Sequence, residues 1–215
     1  MTAAQVFIPK TQWGPGPWID EPDQLLFSHA GLACYIYRNL HVTGSLCGYV
    51  ALSPQHPWWG KDYNECTQTP PCDPDAPVDL RRMSEHFPEL PAISERMAAH
   101  MAEPRWSCDH RPEMILDVHG GVTYAGPMQQ VGYGNTPQSF EWGFGFDTGH
   151  AGDHCPLMDA TLRMIYLAQG AKGKREWEEH QRIMLTGPMR NRYRTIRYVR
   201  AHVKRLADQL AAVRS

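Results

Sequence analysis

Residues 141–155 read EWGFGFDTGHAGDHC, and how this run is divided decides the fold. Side chains of an extended strand point alternately to opposite faces. Trp142, Phe144 and Phe146 then form an apolar face, whereas Gly143, Gly145 and Asp147 form the other. A helix would scatter the same aromatic residues around its circumference, so the period of two predicts a strand that ends at Asp147. The chain next turns through Gly149 and Gly152 and carries His150, Asp153, His154 and Cys155 away from the sheet.

Working outward, EMILDVHGGVTYAG upstream shows the same alternation. It is expected to be a second central strand with Leu116, Val118, Val122 and Tyr124 on one face and Asp117, His119, Gly121 and Thr123 on the other. The N-terminal segments DQLLFSH, LACYIYRN and SLCGYVALS are rich in β-branched, aromatic and small apolar residues, and turn signals separate them at Ala30-Gly31 and at Asn39 to Gly44. They are expected to form antiparallel hairpins. WGPGPWIDEPD, rich in proline and glycine, is expected to be an extended arm or loop.

After Cys155 the period becomes helical in ATLRMIYLAQ, KREWEEHQRIML and RYRTIRYVRAHVKRLADQLAAV. Tyr193, Ile196, Val199, Val203, Leu206, Leu210 and Val213 recur every three or four residues, so a basic amphipathic helix is expected over 190–213 with its apolar stripe on the sheet. The predicted class is α+β, an antiparallel sheet with C-terminal helices packed on one face. One domain over residues 1–215 is expected, with a proline-rich and partly helical excursion over 66–112 that includes LPAISERMAAHMAE.

The chain has 215 residues, 42% hydrophobic and 20% charged, and a net charge of -2. Its first residues hold no basic segment leading into an apolar run, and no stretch approaches the roughly 18 apolar residues of a membrane span. Membrane association is therefore not expected, and a cytoplasmic protein is. The six cysteines then read as free thiols, although Cys66, Cys72, Cys108 and His110 offer a loosely spaced zinc staple. Charge is uneven: residues 190–214 hold eight Lys/Arg against Asp208 alone, a local +7 that leaves -9 on the rest of the chain. Such a helix can bind a nucleic acid or neutralise the acidic body of its own chain.

Glycines recurring on one strand face mark close approach by a ligand or another backbone. If the two central strands are neighbours, Asp117 and His119 border a glycine floor ending at Asp147. His119, Asp147, His150 and Asp153 are the candidate metal ligands, and mixed imidazole and carboxylate donors favour zinc or manganese as the divalent ion. Asp117 is the candidate to orient a ligand or act as general base. In HPWWGKDY, Trp58 and Trp59 could stack on a ring while Lys61 meets a phosphate, and His56 and Lys61 are candidate catalytic residues. The competing explanation makes the aspartates turn formers and the histidines surface or capping residues. Cys155 beside His150 and His154 is a weaker candidate nucleophile. Walker, dinucleotide-binding, G-x-S-x-G and H-E-x-x-H motifs are absent from the sequence.

GPWIDEPD, LCGYVAL, HPWWGKDY, VHGGVTYAG, FGFDTGHAGD and YRTIRYVRAHVKRLADQL together resemble a family of bacteriophage and prophage proteins that has no assigned reaction. The resemblance marks His56, Lys61, Asp62, His119, Gly120, Gly121, Asp147, His150, Gly152 and Asp153 as motif positions. Thr148 stands where that family often has cysteine, which argues against thiol chemistry there. A role in countering or modifying host functions is what the resemblance implies.

The function expected from these readings is a metal-dependent hydrolase acting on a small phosphate-containing or nucleotide-like substrate. The alternative is a non-catalytic phage-type binding protein that sequesters a nucleotide or blocks a host protein.

Overall fold

The computed structural model describes residues 8–68, 71–72, 110–131, 142–186 and 191–213. Five antiparallel strands form one sheet: β1 (Gln24–His29), β2 (Leu32–Arg38), β3 (Leu46–Leu52), β4 (Tyr124–Pro127) and β5 (Trp142–Asp147). Their spatial order is β1-β2-β3-β5-β4. The helices are a single turn, α1 (Pro112–Ile115), followed by α2 (Pro156–Leu167), α3 (Gly170–Thr186) and α4 (Ile196–Ala211). The protein is thus α+β, with an antiparallel sheet and C-terminal helices.

The three N-terminal strands form the expected meander, joined by a tight turn in which Ala30 and Gly31 both have positive φ. β3 is buried along its whole length because it lies in the middle of the sheet and both of its faces are covered. Leu46, Val50 and Leu52 join Phe144 and Phe146 of β5 beneath Val199, Val203, Leu206 and Leu210 of α4. Those four α4 residues are fully buried, so the helical stripe read in the sequence is the surface that meets the sheet.

Of the three longer helices among the described residues, α4 alone packs closely on the sheet. α2 and α3 pair with each other, and α2 buries Leu157 and Ala160 against Ile8, Trp13 and Trp18 of the N-terminal arm. That arm contains two short 3-10 turns, at Lys10–Gln12 and Pro17–Ile19. Its Glu21 accepts a hydrogen bond from the Ile196 amide at the start of α4 (2.9 Å). The fully buried Arg38 guanidinium donates to Glu21, Asp23, the Gly44 carbonyl and the Tyr193 hydroxyl. Thr195 caps the helix by accepting from the Tyr198 amide. This network fixes where α4 begins and which residues its first turns present.

Two expectations need correction. Residues 116–123 are not a strand: α1 precedes them, and Gly120 and Gly121 at φ +67° and +84° turn the chain before β4 begins. Leu116, Val118 and Val122 still enter the core under α4, but Tyr124 joins the cluster on the opposite sheet face. The basic helix is also shorter than 190–213, since Tyr193 precedes it and binds Arg38. Most of the 66–112 excursion, its expected helix and Cys108 lie outside the described residues.

Candidate functional site

The glycine face of β5 is filled by the protein itself. A Cβ at Gly143 would overlap the Met128 sulfur, and one at Gly145 would overlap the Tyr49 ring. These glycines admit side chains of neighbouring elements, so no ligand floor exists there. The polar cluster forms instead at the Asp147 end of β5, where the 116–123 loop, the 148–155 turn and the first turns of α4 meet.

His119 leaves its loop where Gly120 and Gly121 follow. The His150 ring stands so close over Gly120 that any side chain there would collide with it. The two imidazole centroids lie 5.5 Å apart. The turn carrying His150 is tied at its start by Thr148, whose buried hydroxyl donates to the Leu46 carbonyl (2.9 Å). It closes through the Asp153 amide donating to the His150 carbonyl, with Gly152 at φ +87°.

Asp153 is the centre of the cluster, with its side chain 1% exposed. Its Oδ1 accepts from Arg194 Nε (2.7 Å), and its Oδ2 pairs with His119 Nε2 (2.7 Å) and accepts from the His150 amide (3.2 Å). Burial by itself would raise the Asp153 pKa, but the bonds from Arg194 and His119 outweigh it and hold the carboxyl below its ordinary value. The other ring nitrogen of His119 lies 3.0 Å from the Tyr198 hydroxyl. His202, one turn further along α4, packs on Tyr198 with ring centroids 4.5 Å apart. Burial, then the nearby His119, lowers its pKa.

Two buried ring nitrogens of the cluster, His150 Nδ1 and His202 Nδ1, have no hydrogen-bond partner among the described residues. His150 Nδ1 lies 3.7 Å from Asp153 Oδ2 and 3.8 Å from Asp147 Oδ1. His119, His150 and Asp153 each offer one ligand atom, all within 4.8 Å of one another. Ligands bound about 2.1 Å from a tetrahedral ion stand about 3.4 Å apart. The His119–Asp153 and His150–Asp153 separations, 2.7 and 3.7 Å, lie on either side of that value, so these two pairs stand near the spacing that a shared ion requires.

Of the nominated ligands, Asp147 stands at the edge. Its Oδ1 accepts from the Gly149 amide and its Oδ2 from Thr123, with its side chain 40% exposed. Three other nominated residues do not reach the cluster. Asp117 points to solvent, 75% exposed, and pairs with Arg205 of α4 (2.8 Å). His56 Nε2 bonds to the Leu210 carbonyl near the end of α4, and its Nδ1 accepts from the Trp58 amide. Lys61 pairs with Glu65, and its carbonyl accepts from the Trp142 indole at the opposite end of β5 from Asp147. The length of β5 separates the two ends by about 17 Å. Trp58 is a core residue against Phe144, and Trp59 lies half-exposed beside Trp142.

Arg194, Tyr198 and His202 escaped the sequence reading. Tyr198 and His202 are four residues apart on one flank of α4, and Arg194 lies just before the helix. Arg194 on Asp153 and Arg205 on Asp117 spend part of the basic segment on the chain's own carboxylates. Cys155 is buried, which pushes its thiol up to about 11 and keeps it protonated at neutral pH.

A cavity of about 580 Å³ opens beside His150 and Asp153, and Met158 of α2, Ile183 and Met184 of α3 and Asn191 also line it. A second cavity of about 650 Å³ lies between the N-terminal arm and the α2–α3 pair and includes none of the nominated ligand, base or phosphate-binding residues. No helix among the described residues is long and apolar enough to cross a membrane. No protein family, curated protein or solved structure matches this chain.

Proposed function

We propose that the protein is a metal-dependent hydrolase whose divalent ion, zinc or manganese by the chemistry of the donors, is held by His119 Nε2, His150 Nδ1 and Asp153 Oδ2. The observation that carries this reading is the convergence of His119, His150 and Asp153, whose ligand atoms all lie within 4.8 Å of one another. Held by these three residues, a divalent ion would lower the pKa of a water and polarise a substrate oxygen.

The chain's own groups do the rest. Tyr198 fixes the His119 ring through Nδ1, and Arg194 holds Asp153 Oδ1 so that Oδ2 faces the imidazoles. Asp147, whose Oδ1 lies 3.8 Å from His150 Nδ1, takes the role of proton acceptor that the sequence suggested for Asp117. A phosphate-bearing or nucleotide-like substrate was expected from Lys61 and the paired tryptophans. Because those residues serve the opposite end of the sheet, they lend that substrate no support.

Calorimetric titration of chelator-treated protein with zinc and with manganese tests the proposal. One ion per chain is expected for the wild type, and none at this site in His119→Ala or His150→Ala. Wild-type protein that takes up neither ion, or variants that take them up undiminished, would overturn it.

A further inference from the structure

The polar residues of α4 divide between two flanks. Arg205 pairs with Asp117, and Tyr198 and His202 on the same flank meet His119. On the other flank the Arg200 guanidinium stands 5.0 Å from the Phe27 ring centre of β1, and Asp208 pairs with His29 of β1 at 2.9 Å. Lys204 lies midway between Arg200 and Asp208, and Arg197 lies one turn before Arg200. Arg197, Arg200 and Lys204 form no ion pair among the described residues.

These cations overlook an edge of the sheet. β1 is an outermost strand, and it pairs with β2 in unbroken register. It has none of the bulges, prolines or lysines that blunt an edge, whereas the opposite edge strand, β4, has four residues and ends in Pro127. Residue pairs of an antiparallel ladder alternate between bonded and non-bonded. The Arg38 amide donates to the Asp23 carbonyl, so residues 25, 27 and 29 bond to β2, and Gln24, Leu26 and Ser28 direct their N–H and C=O groups outward. Side chains alternate as well: Leu25 and Phe27 pack under α4, and Leu26, 52% exposed, lies on the other face.

We propose that the outer edge of β1 docks an extended acidic segment of a partner protein as an added strand. The outward groups of Gln24, Leu26 and Ser28 supply its main-chain hydrogen bonds. Side chains of the segment that share a face with Leu25 and Phe27 come beneath Arg200 and Lys204, where carboxylates are favoured. Those on the other face meet exposed Leu26, where an apolar residue is favoured. The segment recognised therefore alternates acidic and apolar residues. This surface lies across α4 from Tyr198 and His202 and does not depend on the hydrolase reading.

Amide NMR on the full chain, titrated with the capped peptides GEVEVEG and GKVKVKG, tests this. The acidic peptide should shift the Gln24, Leu26 and Ser28 amide signals, and the basic one should not. Arg200→Glu combined with Lys204→Glu should weaken GEVEVEG binding at least about tenfold. Leu26→Pro should abolish it, because proline removes an outward N–H and leaves the ladder to β2 intact, which unchanged protection of the Leu25 and Phe27 amides would verify. Should Leu26→Pro fail to fold, the charge-reversed variant still decides. No shift with GEVEVEG, an equal shift with GKVKVKG, or undiminished binding by the charge-reversed variant overturns the proposal. So would β1 shifts that grow with protein concentration alone, which assign the edge to a second copy. A DNA duplex that binds where GEVEVEG does not would likewise give the cations to a nucleic acid.

Discussion

His56 and His119 stand at opposite ends of the same sheet and helix. His56 meets the Leu210 carbonyl and His119 meets Tyr198, twelve residues apart on α4 and so about 18 Å along its axis. Both histidines lie in short polar runs rich in glycine and charge. At the His56 end each ring nitrogen has a backbone partner, Trp58 fills the core, and Lys61 closes on Glu65. At the His119 end imidazoles face one another around a buried carboxylate, and two ring nitrogens have no hydrogen-bond partner among the described residues. An imidazole whose two nitrogens are used by its own backbone closes a structure, whereas one that faces other donors with capacity to spare can receive a ligand.

Asp153→Ala should break the comparison hardest. It removes the carboxylate that joins Arg194, His119 and the His150 amide, with an expected loss of about 3 kcal/mol in urea unfolding and of ion uptake in calorimetry. Gly145→Ala should cost about 1–3 kcal/mol by overpacking against Tyr49, with ion affinity unchanged. Loss of ion affinity without loss of stability would restore the glycine floor as a ligand surface. His56→Ala should cost about 1 kcal/mol, because the Leu210 carbonyl and the Trp58 amide lose their partner, and should leave ion affinity as it was. Lys61→Ala should change stability by less than about 0.5 kcal/mol, since its partner Glu65 is exposed, and hydrolysis by no measurable amount. A large loss of activity in Lys61→Ala would return this end of the sheet to the site.

The two ends also differ in how far the sequence alone revealed them. Alternation along β5 sorted Phe144 and Phe146 into the core, and the stripe of Val199, Val203, Leu206 and Leu210 marked the face of α4 that covers them. The same rule misread residues 116–123, where Gly120 and Gly121 turn the chain. Asp117 and His119, expected to share a strand face, reach Arg205 and Tyr198 on different turns of α4. The polar turn at 147–153 drew attention by composition. Its partner Arg194 lies just before α4, and Tyr198 and His202, which meet His119, lie in a helix whose sequence reads as amphipathic scaffold.

By itself the sequence determined the elements whose periods are local: the N-terminal meander, the β5 strand and the apolar stripe of the last helix. Strand and helix periods arise from backbone geometry within a few residues, so a single segment suffices to read them. Only the tertiary structure decided that His119 meets Asp153 across 34 residues and Arg194 meets it across 41. It also decided that Tyr49 and Met128, rather than a ligand, fill the glycine face. Those outcomes depend on β5 pairing between β3 and β4 and on α4 crossing the sheet, contacts between distant segments that no local period records.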